Sequence, residues 1–253
     1  MLNDGSYSIE NYIGQGSEVQ VIDMVGEKPV TEIGKSCFSE NKDISKVIIP
    51  DSVKVIKTSA FRRCPNLSTV LLGNNVEIIE KDAFRGSGLK DISLNEGLKT
   101  IDEYAFRETA MESIKIPSTV ELIGAGAFER TKIENLEFES SNTIRLEIGQ
   151  YAFESYKDDS VLLPGRLTKL DGQAFGFKSL ELIWPKCEFD AANIQELTGT
   201  IGSISLHGSD TLKNYICKKY SSSSQPVFYG PAGSDMESYA NENNIEFVVE
   251  DEK

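Results

Sequence analysis

The stretch MESIKIPSTVELIGAGAF, Met111–Phe128, decides the fold of this chain, because its last six residues have counterparts along most of the sequence. The recurring unit is an aliphatic residue followed five positions later by Phe, with Ala or Cys directly before the Phe. It occurs seven times, as IGKSCF (33–38), IKTSAF (56–61), IEKDAF (79–84), IDEYAF (101–106), IGAGAF (123–128), IGQYAF (148–153) and LDGQAF (170–175). The phenylalanines are spaced 23, 23, 22, 22, 25 and 22 residues apart. Such a period is the signature of a repeat architecture.

Between successive phenylalanines lie two further apolar patterns. Five or six residues after each Phe, an apolar residue is followed by others at +3 and +5, as in Leu67, Val70 and Leu72. This alternation predicts a short strand with one buried face, which a Pro or Gly often ends. A second apolar pair, three residues apart, then leads back to the Ala-Phe dipeptide, as Val120 and Ile123 do. We expect this pair to form one short helical turn.

A single repeat is too small to bury its own apolar face, so stacked repeats should share one elongated core. Each Phe is expected to stack on its counterparts, and the preceding Ala would let neighbouring turns approach closely. Cys37 replaces that Ala and Cys64 follows the next Ala-Phe, so both are predicted to be buried free thiols. The four cysteines show no CxxC pair and His207 is the only histidine, which argues against a zinc site and a disulfide framework.

Composition excludes several classes of protein. The formal net charge is −14, from 40 acidic and 26 basic residues, and this disfavours nucleic-acid binding. The sequence holds no run of 18 apolar residues, so no membrane insertion is expected. The first twenty residues lack the basic and apolar regions of a secretory signal. That is expected of a cytoplasmic protein, and equally of a fragment or a mature form whose leader has been removed.

The pattern LxxVxIPxxVxxIGxxAF resembles the BspA-like leucine-rich repeats of bacteria. The asparagine ladder of the commonest leucine-rich repeats is mostly missing, since position +8 reads Ser52, Asn75, Gly97, Thr119 and Ser141. The resemblance implies an α/β fold: a right-handed leucine-rich-repeat solenoid of short strands and short helical turns. It would hold about seven repeats of 22–25 residues with atypical terminal caps.

The resemblance covers nearly the whole chain, as a single domain over residues 1–253. Residues 1–32 form an atypical N-terminal repeat or cap, 33–185 the regular repeats, and 186–253 degenerate repeats and a C-terminal cap. In that cap a helix is predicted from Ser234 to about Asn243 and a strand over Ile245–Glu250. The longest repeat has about three extra residues near 139–160, which we interpret as a bulge or longer loop, or alternatively as a binding protrusion.

Any binding surface should lie on the strand residues that alternate with the buried ones, on the concave face that the resemblance implies. The middle of this face is acidic, and its apolar ends include the only tryptophan. The acidic residues could recruit a basic partner or a divalent cation, or simply form a solvated face. The C-terminal segment could also fold back and cover the tryptophan. The candidate binding residues are Leu71, Lys115, Glu137, Leu162, Leu182 and Trp184.

Catalytic chemistry is not expected, because no motif places a general base beside a nucleophile and no phosphate loop or metal motif occurs. We therefore expect no cofactor and no metal. The resemblance implies a non-enzymatic module that binds a protein or glycan, as a cell-surface or secreted adhesion protein of bacteria. The alternative is a structural spacer or scaffold within a larger surface protein. A monomer is favoured.

Overall fold

The computed structural model describes residues 1–141, 144–157, 160–162, 164, 167–171, 173–175, 180–183, 196–198, 204–207, 227–230, 232, 237, 241, 244 and 246–249. Short parallel strands stack along it, as the repeat predicts. In chain order they are β1 (Tyr7–Ile9), β2 (Glu18–Gln20), β3 (Met24–Val25), β4 (Lys28–Ile33), β5 (Lys46–Ile48), β6 (Val55–Ile56), β7 (Thr69–Leu71), β8 (Ile78–Ile79), β9 (Thr100–Ile101), β10 (Ser113–Ile116), β11 (Leu122–Ile123), β12 (Asn135–Phe138), β13 (Leu146–Ile148), β14 (Ser160–Leu162), β15 (Leu167–Asp171), β16 (Leu180–Ile183), β17 (Glu196–Thr198), β18 (Ile204–His207), β19 (Val227–Gly230) and β20 (Glu246–Val249).

One strand of each coil, meaning each turn of the solenoid, joins a continuous sheet of ten strands. Its order is β1-β4-β6-β8-β9-β11-β13-β15-β17, with β3 antiparallel beside β4, and we call it the long sheet. The same core position fills one rung in coil after coil, as Ile56 pairs with Ile79 and Ile101 with Ile123. In most of the second apolar pairs, the second residue, such as Ile56 or Ile123, lies in one of these strands, and the first precedes the strand in a non-helical turn. The helical turn expected there is therefore wrong.

The strand with the +3 and +5 alternation lies on the other face. It forms three separate sheets, β2-β5-β7, β10-β12 and β14-β16-β18-β19-β20, which together we call the broken row. Val47, Val70, Ile114 and Leu136 point inward and are buried, which confirms the alternation read from the sequence. Both strand rows thus enclose one elongated core.

The turn around each Ala-Phe is not helical either. Around the five phenylalanines from Phe38 to Phe128, the residues two before and two after the Phe have positive φ, for example Ser59 at 60° and Arg63 at 55° around Phe61. This left-handed conformation breaks the repeating geometry of an α-helix. Ala60 N–H instead donates to Lys57 C=O at 3.0 Å, and Phe61 N–H donates to Ala83 C=O of the next coil at 2.7 Å. Among the described residues only Glu237 and Asn241 are helical, both within the helix predicted for the C-terminal cap.

A stack of phenylalanine rings runs along the core, as predicted. Consecutive rings from Phe38 to Phe175 lie with centroids 4.8, 5.1, 5.3, 5.2, 5.1 and 5.5 Å apart, and their planes tilt by at most 17°. Tyr12 extends the stack at the N-terminal end, 4.8 Å from Phe38. Aromatic pairs of this kind contribute about 0.5–1.5 kcal/mol each beyond their buried area. The stack therefore holds successive coils in register.

The structure also locates the cysteines and the longest repeat. Cys37 and Cys64 are buried free thiols, and burial raises the pKa of Cys37 to about 12 and that of Cys64 to about 11. Cys187 and Cys217 lie outside the described residues. The extra residues of the longest repeat lie between β12 and β13, because β13 pairs again with β11 in the long sheet.

Candidate binding face

Three of the residues predicted to bind lie at outward positions of β7, β10 and β12. Leu71 is 50% exposed, and Lys115 and Glu137 are exposed side by side, since they pair directly between β10 and β12. Their orientation agrees with the alternation in the sequence. Their part in binding stays a prediction.

Leu162 and Leu182 lie toward the C-terminal end of the row. Leu162 ends β14, where it pairs with Ile183, and Leu182 of β16 pairs with Val161. Leu71, in β2-β5-β7, and Lys115 and Glu137, in β10-β12, therefore lie in two other sheets. Trp184, and the question of what covers it, lie outside the described residues.

The broken row is interrupted between β7 and β10. Leu89–Leu94, which we call the gap segment, forms no strand and touches the row through a single bridge from Asp91 to Thr69. The interruption coincides with a change in the preceding turn. The first apolar residue follows Phe by six residues at Leu67, but by five at Leu89 and in the next two coils.

Gly88 lies in the five-residue turn from Phe84 to Leu89, which packs tightly against the six-residue turn from Phe61 to Leu67. A Cβ atom at Gly88 would lie 2.2 Å from the carbonyl oxygen of Pro65, which belongs to the longer turn. Later coils with the five-residue spacing place Ala110 and Lys132 at the same position. A glycine is thus needed only where the two turn lengths meet.

A groove of about 300 Å³ opens on the broken row at this interruption. Three successive coils line it: residues 91–94 with Glu96, β10 with Pro117, and β12 with Glu139. Two predicted residues, Lys115 and Glu137, are among its walls. The acidity of this region was predictable from the sequence, but the groove was not, because nothing in the alternation indicates that one strand fails to pair.

Two carboxyl groups meet at one end of the groove. The hydrogen bond between Glu96 and Glu139, together with partial burial, raises the pKa of Glu96. The same bond and the ion pair with Lys115 lower the pKa of Glu139. Ser118 supports both, because its hydroxyl donates to Glu96 at 3.2 Å and its N–H to Glu139 at 3.4 Å. The pKa values of the two neighbouring carboxyl groups are therefore shifted in opposite directions, Glu96 upward and Glu139 downward.

Several charges elsewhere on the described surface form ion pairs between coils. Lys57 lies 3.4 Å from Glu32 and 3.1 Å from Glu80, along the edge of the long sheet. Lys99 lies 2.7 Å from Glu77 in the same manner. Within the described residues, no three His, Cys, Asp or Glu side chains are grouped as a metal site would require. The structure likewise shows no described helix able to cross a membrane.

Residues 31–155 and 106–232 match the BspA type leucine-rich repeat region, in six copies. The chain belongs to the BspA-type leucine-rich repeat family. The family indicates a protein-interaction repeat module, since stacked repeats present an extended surface to a partner.

Two solved structures show the same fold as this BspA-type chain. A leucine-rich repeat protein from Bacteroides ovatus is 15% identical, with a TM-score of 0.50, over 99% of this chain and 97% of the other. One from Eubacterium ventriosum is also 15% identical with a TM-score of 0.50, over 98% of this chain and 64% of the other. The leucine-rich repeat protein of T. pallidum is 23% identical with a TM-score of 0.48, over 62% and 86%. No curated protein matches the sequence.

Proposed function

We propose that this BspA-type protein is a non-enzymatic binding module of the bacterial cell surface, or a secreted one, that contacts a protein or glycan ligand through the broken row. The observation that carries the proposal is the groove at the interruption, which sets exposed Lys115 and Glu137 beside an acidic pocket. Exposed Leu71 on the preceding sheet supplies an apolar contact next to it. Aromatic and apolar anchors beside polar groups are what interfaces commonly use.

The second candidate is a structural spacer within a larger surface protein. The unbroken long sheet and the phenylalanine stack favour it, because they give the solenoid a continuous rigid side. A spacer needs no ligand on the broken row. The two candidates therefore differ in whether that row recognises anything.

The test compares Leu71→Asp with Leu122→Asp, its match on the long sheet, where Leu122 is 37% exposed. Both variants and the wild type are probed against a panel of purified host extracellular proteins and glycans. We expect Leu71→Asp to lower the affinity for the captured ligand by about tenfold or more, the usual effect at a well-packed contact. Leu122→Asp should keep the wild-type affinity. A panel on which the wild type binds nothing would favour the spacer instead.

A further inference from the structure

The coils on either side of the interruption stay together on one face and separate on the other. Their long-sheet strands β9 and β11 pair directly, Thr100 with Leu122 and Ile101 with Ile123. On the broken row, β10 pairs with β12, and within residues 1–141 no strand pairs with its other side. The opening is therefore a wedge. An added strand would need a spacing of about 4.8 Å on each side, so a wedge suits a single side chain better.

Main-chain groups of β10 face this wedge. In a parallel pair, alternate residues turn both N–H and C=O toward the same neighbouring strand. Asn135 N–H donates to Glu112 C=O at 3.3 Å, and Glu139 N–H donates to Ile116 C=O at 2.9 Å, so even-numbered residues face β12. Ser113 and Lys115 consequently turn their main-chain groups to the wedge, where the carbonyl oxygens are acceptors.

The side chains around the wedge add further acceptors. Asp91, Glu96, Glu137 and Glu139 line the groove, and its lining cation, Lys115, is already paired with Glu139. Glu96 and Glu139 lie together at one end of the groove, where both accept hydrogen bonds from Ser118. An excess of acceptors of this kind is complementary to a cation with several donors.

We propose that the groove is a recognition pocket for an arginine side chain of the partner protein, an inference that rests on the binding role proposed above. A guanidinium has five N–H donors in a planar fork, which suits main-chain carbonyls at the floor and the carboxylates of Glu96 and Glu137 at the rim. A lysine ammonium has three donors and is more strongly hydrated. The apolar stem of the arginine would lie against Leu94 and Pro117, which also line the groove.

The test titrates ¹⁵N-labelled protein with the peptide acetyl-Gly-Ser-Arg-Ser-Gly-amide and with its citrulline counterpart, which keeps the shape of arginine without its charge. Saturating shifts are expected for the amides of Ser93, Ser113 and Lys115. The arginine peptide should bind about tenfold tighter than the citrulline peptide, because hydrogen bonds to charged groups are the stronger ones. A lysine peptide should fall between the two.

Matched variants separate the pocket from general attraction by an acidic protein. Glu137→Gln is expected to lower the affinity for the arginine peptide by about fivefold or more. Glu121 is exposed on the long-sheet face, and Glu121→Gln should leave that affinity unchanged. Both variants remove one negative charge. Equal affinity for the two peptides, or an equal loss in both variants, would overturn the pocket. So would shifts of the same amides by a glycan with no response to arginine.

Failure of the pocket is distinguishable from failure of the binding role, because Leu71 does not line the groove. If Leu71→Asp no longer binds the ligand and no arginine response is found, the arginine pocket is contradicted and the proposed binding face is supported. If the arginine response is present and no member of the panel binds, the proposed binding function is contradicted. The pocket is then supported only as a site for cationic side chains.

Discussion

The long sheet and the broken row are built by the same coils, yet one is continuous and the other is interrupted. In the long sheet, a core aliphatic residue precedes Phe by five positions in all seven repeats, so each strand enters the phenylalanine stack in the same way. On the broken row, the first apolar residue lies six residues after Phe in the first two repeats and five residues after it from Leu89 onward. The interruption between β7 and β10 coincides with this change of one residue, whereas the interruption between β12 and β14 has no such change in spacing.

The largest expected effect comes from breaking the feature that the two faces share. Phe106 is fully buried in the middle of the stack, with neighbouring rings at 5.3 and 5.2 Å. Phe106→Ala should lower the free energy of unfolding by about 3–5 kcal/mol, since it leaves a cavity between two stacked coils. Urea denaturation followed by circular dichroism measures it. Leu122→Ala, an exposed change in the long sheet, is the control and should stay within about 0.5 kcal/mol.

A smaller loss is expected at the junction of the two turn lengths. Gly88→Ala should lower the free energy of unfolding by about 1–3 kcal/mol, because the new methyl group would press on the Pro65 carbonyl. Lys132→Ala tests the same position in a coil whose turn matches its neighbour. If Gly88→Ala is as mild as Lys132→Ala in thermal denaturation, the fit between the two turns is not what requires glycine.

The long sheet should also lose stability in acid. Although burial opposes it, hydrogen bonds from the Thr58 N–H and hydroxyl, both at 2.8 Å, and the ion pair with Lys57 lower the pKa of Glu80 below its ordinary value of 4.5. A carboxyl group of this kind stabilises the fold above its unfolded pKa, and the contribution is lost as pH falls through the folded pKa. Between about pH 6 and pH 3, the free energy of unfolding of the wild type should fall by about 1 kcal/mol more than that of Glu80→Gln. Exposed Glu121→Gln, measured by urea denaturation at each pH, should behave like the wild type.

The broken row should respond to pH in the opposite sense, and by the smallest amount. Because the pKa of Glu96 is raised, its contribution is complete at low pH and is lost as pH rises through the folded pKa. Carboxyl carbon shifts followed by NMR should show Glu96 titrating at a higher pH than Glu139. Glu139→Gln should bring the titration of Glu96 back toward its ordinary value. A Glu96 curve that does not move in that variant would mean that the two groups do not interact.

The repeat, the buried positions and the phenylalanine stack were predictable from the sequence, because they depend on spacing alone. The helical turns were not. A pair such as Val120 and Ile123, three residues apart, fits a helix and equally a turn leading into a two-residue strand. Left-handed residues decide between them, and side chains as different as Ser59, Tyr104 and Arg130 adopt that conformation here. Hydrogen bonds to the next coil, which the sequence of one repeat does not contain, hold them there.

The candidate site was predictable only in part. Alternation is enough to place Leu71, Lys115 and Glu137 on the outer surface, since each follows a buried strand residue. The groove depends on which strands pair, and the carboxyl pair depends on Glu96 and Glu139, whose 43-residue separation hides their contact. The one sequence signal for the interruption was the shorter distance from Phe84 to Leu89, next to a glycine that later coils replace.

The junction at Gly88 also bears on how such a protein acquires new specificities. Removal of one codon from a surface turn is among the simplest events in the history of a tandem array, and here it coincides with a cleft while the hydrophobic interior stays intact. The same one-residue deletion in the turn of another repeat should place a cleft at that repeat, with different side chains around it. Array proteins of this design could therefore diversify their ligands through single-residue insertions and deletions, without rebuilding their cores.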